Sequence, residues 1–141
     1  IEGSIYFGAV NHVGETLHDI AASRPQQRHL LIMAKSINFV DIAGAELLAE
    51  EARRRRQRGG RLWFYGVRQS AEEMLRKPEY TEEFGADAFF ASKHAAIEHI
   101  VGQFDTSICA KCKARIFKEC HKLPGAGPVR VHACMGETVA A

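Results

Sequence analysis

Four short apolar runs, Ser4-Ile5-Tyr6-Phe7, His29-Leu30-Leu31-Ile32-Met33, Arg61-Leu62-Trp63-Phe64-Tyr65 and Ala88-Phe89-Phe90-Ala91, are separated by segments with helical apolar spacing. No other feature limits the fold as much, because a strand, a helix and a second strand join by a right-handed crossover and pair in parallel. The second and third runs have no polar alternation. Continuous apolarity fits strands buried on both faces, in a sheet covered by helices on each side. The expected class is α/β, with a mixed, mostly parallel central sheet of about four to five strands flanked by four to five helices.

The segments between the runs carry helix signals. Val10, Val13, Leu17 and Ile20 form one stripe of an amphipathic helix that must stop before Pro25. Asp41 is placed to cap a long helix reaching about Gln57, since a carboxylate accepts the orphan N–H groups of a first turn. Ala45, Leu48 and Ala52 give that helix a small-residue face, Glu50 with Arg54 and Glu51 with Arg55 are i,i+4 pairs, and Gly59-Gly60 ends it. Ser70-Ala71-Glu72-Glu73 has a capping-box pattern and opens a short helix closed by Pro78. Ser92 caps a further helix whose Ala96, Ile97, Ile100, Val101 and Phe104 face inward.

Of the 141 residues, 46% are apolar and 26% charged, enough for a real core and against disorder, collagen or coiled coil. No apolar run approaches the roughly 18 residues needed to cross a bilayer. The net charge of +2 argues against a surface wholly committed to nucleic acid. A first residue other than Met is read as the mark of a piece processed or cut from a longer protein. All four cysteines fall at Cys109, Cys112, Cys120 and Cys134. With no secretory leader legible, they are expected to be reduced thiols. The domain is placed at residues 1–106, its first strand truncated, and a Cys-rich, partly flexible extension at 107–141.

The densest information lies in Ile37-Asn38-Phe39-Val40-Asp41-Ile42-Ala43-Gly44-Ala45. On physics alone this is a strand end, a turn and a capped helix start, with Gly44 admitting close approach of another backbone. The form Asn-Phe-Val-Asp-x-x-Gly, ahead of a long helix and a Gly-Gly-x-Leu-x-Phe strand, resembles STAS domains. That fold is shared by bacterial anti-sigma-factor antagonists and the cytoplasmic ends of SulP anion transporters. The resemblance covers about Gly3 to Phe104. Glu2-Gly3-Ser4-Ile5-Tyr6-Phe7-Gly8-Ala9 and Phe89-Phe90-Ala91-Ser92 look like the opening and close of the transporter branch.

The resemblance implies a non-enzymatic regulatory, assembly or docking domain of a SulP-type transporter of sulfate or a related anion, at the cytoplasmic face of the inner membrane. Its partners would be the transmembrane domain of the same polypeptide, a second copy in a homodimer, or an acidic protein such as acyl carrier protein. In the antagonists a Ser or Thr before the motif glycine is phosphorylated; the matching residue here is Ala43, which disfavours a free-standing signalling protein. The partner- or anion-binding surface is expected at Ser36, Asn38, Asp41, Ile42, Ala43 and Gly44, flanked by Arg53, Arg54 and Arg58. The arginine run also reads plainly as a solvated helix face, or as a patch for anionic lipid. Nucleic acid is not expected, because no stacking aromatics accompany the arginines. Nucleotide binding, proposed broadly for the family, has no phosphate loop to support it. Cys109, Cys112, Cys120 and His121 are the right ligand types for zinc, but one Cys-x-x-Cys is weak evidence and adjacent Cys120 and His121 should point apart. A disulfide or redox role and plain unliganded thiols stand beside it.

Overall fold

The computed structural model describes residues 3–123. Three parallel strands, β1 (Leu30–Met33), β2 (Leu62–Tyr65) and β3 (Phe89–Phe90), lie in the order β1-β2-β3. Helices α1 (Val10–Ser23), α2 (Ile42–Gln57), α3 (Gln69–Leu75), α4 (Pro78–Phe84), α5 (Lys93–Val101) and α6 (Thr106–Lys111) connect and follow them. The α/β class and the parallel crossovers are as expected. The sheet has three strands among the described residues rather than four or five. Ser4–Phe7 contributes only a parallel bridge, Ile5 to Val40. The chain turns too soon to extend it: the carbonyl of Tyr6 accepts the N–H groups of Ala9 and Val10, coiling Phe7–Ala9 into a 3₁₀ turn that runs into α1.

Central β2 is buried along its whole length, while β1 ends at an exposed Met33, so only β2 is covered on both faces. Neighbouring residues of β2 point to opposite faces. Phe64 meets Phe84 of α4 edge-on at 5.3 Å and stacks on Phe89 at 5.0 Å. Trp63 meets His99 of α5 at 5.1 Å and Phe90 at 6.0 Å. Thus α5 covers one face and the α2–α4 layer the other. Each large buried side chain contributes about 1.5–3 kcal/mol of burial.

Two expectations about the middle of the chain need correction. Arg68, not a serine, occupies the N-cap of α3, and the Ser70 hydroxyl instead donates to the Asn38 carbonyl at 2.9 Å. Pro78 does not merely close a helix; it opens α4 at the first helical position, where its missing N–H costs nothing.

The polybasic end of α2 is partly internal. Glu51 and Arg55 are each 5% exposed by side chain and pair at 2.7 Å. The Arg55 guanidinium also donates to the Gln27 carbonyl at 3.2 Å, which ties the end of α2 to the approach to β1. The helix terminates in a Schellman motif, Gly60 N–H to the Arg55 carbonyl and Gly59 N–H to that of Arg56. A Cβ on Gly60 would overlap the Arg28 carbonyl oxygen, so only glycine permits this crossing.

Two predictions follow from this packing. Glu51→Ala strands the Arg55 charge in the interior and is expected to cost about 3–5 kcal/mol in urea unfolding, whereas Glu50→Ala, removing surface pairs, stays within about 0.5 kcal/mol; equal effects would contradict the burial. On β1's approach, His29 Nδ1 accepts the Trp63 indole N–H at 3.3 Å. Burial, then Arg55, Arg61 and Arg28, lower the His29 pKa below its ordinary 6.5. The unfolded state therefore binds the proton first, and stability should fall as pH drops below about 6.5 towards the depressed folded value. His29→Phe should flatten that slope in pH-dependent melts, and an unchanged slope would refute the assignment.

Candidate functional site

Asp41 organises the start of α2. Its Oδ1 accepts the Gly44 N–H at 2.8 Å, the expected cap. Its Oδ2 accepts the Phe7 N–H at 2.9 Å, from a segment 34 residues earlier. Between these, the Ile5 N–H donates to the Phe39 carbonyl at 2.9 Å and the Asp41 N–H to the Ile5 carbonyl at 3.1 Å. Gly44 is required by this approach: a Cβ there would lie 2.6 Å from the Ile5 carbonyl oxygen. The loop is held further by Gly3 N–H on the Ser36 carbonyl and by the Ser70 hydroxyl on that of Asn38.

With the backbone so occupied, side chains are left facing outward. Ser36, Asn38 and Ile42 are exposed, Asp41 and Ala43 partly so, and Gly44 is buried. Beside them stand Tyr6, Phe7 and Phe39, also exposed, with Phe7 at 81% and Ile42 at 62%. All four large side chains lie within two residues of the Asp41 clamp or the Ile5–Val40 bridge. Four of the seven exposed large apolar side chains among the described residues thus stand at this loop, and grouped exposed apolar side chains mark interaction sites. Sequence reasoning placed Ile42 here but missed Tyr6, Phe7 and Phe39. Reading Ser4–Phe7 as a full strand made Tyr6 and Phe7 look like sheet residues; the turn-forming Gly8 was the available signal.

The arginines do not flank this loop. Arg53, Arg54 and Arg58 sit at the far end of α2, roughly 14 to 21 Å along the helix from Gly44 at 1.5 Å per residue. Most of the run is engaged internally. Arg53 pairs with Glu50 and with Glu83, the latter at 3.2 Å, and Arg54 pairs with Glu50 at 3.3 Å. Arg56 donates to the Glu82 and Glu83 carbonyls at the end of α4. Arg61 grips Asp87 through both carboxylate oxygens, which holds the Asp87 carboxyl below its ordinary pKa. Among the described residues, Arg58 is the member of the set with no side-chain partner.

The described part of the extension packs on α5. Its 3₁₀ turn, Lys118–Lys122, is joined there by Lys122 to Glu98 and by Glu119 to His94 at 2.8 Å. The proposed zinc set is not assembled: among the described residues no group of three or more His, Cys, Asp and Glu is arranged to hold a metal ion. The reason is directional, since Cys120 is buried while adjacent His121 is exposed. Cys134 and the Pro124–Pro128 segment lie outside the described residues.

Fold and site together define a small parallel α/β domain with a clamped loop at a helix start. A family model of the STAS domain matches residues 1–96, and the chain belongs to that family. Among solved structures, a Thermotoga maritima protein assigned as an anti-sigma factor antagonist superposes with TM-score 0.62 at 8% identity, covering 71% of this chain and 82% of that one. The STAS domain of a SulP transporter from Vibrio cholerae gives TM-score 0.55 at 20% identity, covering 72% and 77%. SLC26A9 gives 0.51 at 16% identity, covering 67% of this chain and 16% of that one. At such identities these likenesses establish the fold. No curated protein matches by sequence.

The clamp can be tested directly. Asp41→Ala should lower stability by about 1–2 kcal/mol and abolish amide-exchange protection at both Phe7 and Gly44. Asp41→Asn, which keeps one acceptor oxygen, should lose protection at only one of them; unchanged protection at both sites in Asp41→Ala would contradict the clamp.

Proposed function

We propose that the chain is the cytoplasmic regulatory and docking domain of a SulP-type transporter of sulfate or a related anion, and that it contacts the transmembrane domain of the same polypeptide through Phe7, Phe39 and Ile42. The observation that carries this reading is the rigid, outward apolar group around Asp41, at the place where a signalling STAS protein would offer a phosphorylatable hydroxyl and this chain has Ala43. No described helix is long and apolar enough to cross a membrane. In this reading a membrane portion of the parent protein carries out transport, and this domain supplies contacts and control. The internal pairing of Arg53, Arg54, Arg55, Arg56 and Arg61 favours an apolar interface over a mainly electrostatic one with an acidic protein.

A free-standing antagonist is the second reading, suggested by the shared fold of a protein assigned as one. It requires a phospho-acceptor other than Ala43. Incubation with the cognate kinase and labelled ATP, followed by phosphopeptide mapping, would establish it by stoichiometric label on a loop hydroxyl such as Ser36.

The transporter reading predicts that Ile42→Asp and Phe7→Asp in the full parent protein reduce anion uptake several-fold at unchanged membrane abundance, while the corresponding isolated domains unfold within about 0.5 kcal/mol of wild type, as exposed substitutions do. Unaltered uptake in both variants would reject the docking surface. A parent reading frame without about ten apolar helices upstream of Ile1 would reject the transporter assignment itself.

A further inference from the structure

The extension holds a thiol arrangement that docking does not use. Helix α6 ends with Cys112 as its C-cap residue, and the Cys112 N–H donates to the Cys109 carbonyl at 3.2 Å. That i to i+3 turn brings the two Cα atoms within about 7 Å, close to the 4.4–6.8 Å over which a disulfide can span. Both are free thiols; Cys112 is exposed and Cys109 half-buried. Three residues on from Cys112, Arg115 has φ of 37°, the one positive φ among the described non-glycine residues. A left-handed conformation of this kind costs a non-glycine residue about 1–2 kcal/mol, so something must hold it.

Its side chain is held at the guanidinium end. The buried Arg115 guanidinium donates to the Cys120 carbonyl at 3.2 Å and the Cys109 carbonyl at 3.3 Å, fastening the cysteine-bearing segments together. The turn after Cys112 also carries the backbone N–H groups of Ala114 and Arg115. Successive N–H groups converging through a left-handed residue form a nest that favours an anion, here a thiolate.

We infer that Cys112 is a reactive thiolate that exchanges with low-molecular-weight disulfides and is resolved by Cys109, making the extension a thiol-modification site. The Cys112 thiolate attacks one sulfur of the small disulfide; the S–S bond breaks, a mixed disulfide forms, and the other half leaves as a thiolate. Cys109 then gives its proton to solvent, and its sulfur attacks the Cys112 sulfur, expelling the second small thiolate. Two protein thiols are oxidised and one small disulfide is reduced to two thiols. Exposed Lys111 and Lys113 beside the nucleophile favour an anionic disulfide. The thiols also differ in acidity as these roles require. Donation from Arg115 and Ala114 holds Cys112 below the ordinary thiol range, while burial, then Cys120 and Cys112, push Cys109 up.

The test treats the reduced protein with glutathione disulfide at neutral pH and follows it by intact mass and peptide mapping. The expected course is one transient glutathione adduct on Cys112, replaced by a Cys109–Cys112 disulfide. Cys109→Ser should trap the adduct on Cys112, and Cys112→Ser should remove it while Cys109 stays free. Iodoacetamide should label Cys112 several-fold faster than free N-acetylcysteine at the same pH. First adduct formation at Cys120 or Cys134, alkylation of Cys112 no faster than the free thiol, or stoichiometric zinc protecting the thiols in protein purified without chelator would each overturn the inference.

Discussion

A single carboxylate sets how the N-terminal part of the domain is assembled. Asp41 accepts one N–H from its own helix and one from Phe7, so the entry to α1 and the entry to α2 are fixed by the same group. The strand that links them, Ile5 against Val40, passes so near the helix that position 44 can only be glycine. With the backbone closed on itself in this way, Tyr6, Phe7, Phe39 and Ile42 are left facing outward beside Ser36 and Asn38. A surface that is rigid in its backbone and apolar in its side chains loses little conformational entropy when covered, which favours binding.

The opposite end of α2 works differently. Five of the arginines there are held by carboxylates or carbonyls of the same domain, and one pair, Glu51 with Arg55, is taken out of water altogether. Pairs at the surface contribute about 0–1 kcal/mol. The buried pair matters less for net stability than for the damage done when half of it is removed. A run of basic residues that resembles a polyanion receptor in sequence is thus mainly a brace between α2, α4 and the approach to β1.

Much of this architecture was legible in the sequence. The three strands announced themselves as short β-rich apolar runs, and the caps at Asp41 and Ser92 and the Gly59-Gly60 stop depend on local chemistry that a linear reading detects. What escaped it depends on partners distant in sequence. Ser70 has the form of a cap, yet its hydroxyl is taken by Asn38 across the fold. Pro78 is compatible with ending one helix or starting another, and burial of Tyr80 and Phe84 decides for starting. Ile42 was legible as part of the site from its place beside the cap, whereas Phe7 joined it only through a bond to Asp41 spanning 34 residues. Charge spacing likewise pointed to Glu51 with Arg55 without revealing that the pair is buried.

The chain is therefore a STAS domain whose clamped loop presents an apolar face, with a cysteine-bearing extension folded back on α5. The most direct measurement is amide hydrogen exchange on the full parent protein in lipid nanodiscs, compared residue by residue with this chain alone. The account predicts added protection at residues 6–7 and 36–44, and little change at the arginine end of α2. Equal exchange at those residues in the two samples, with protection gained instead along residues 53–58, would contradict it.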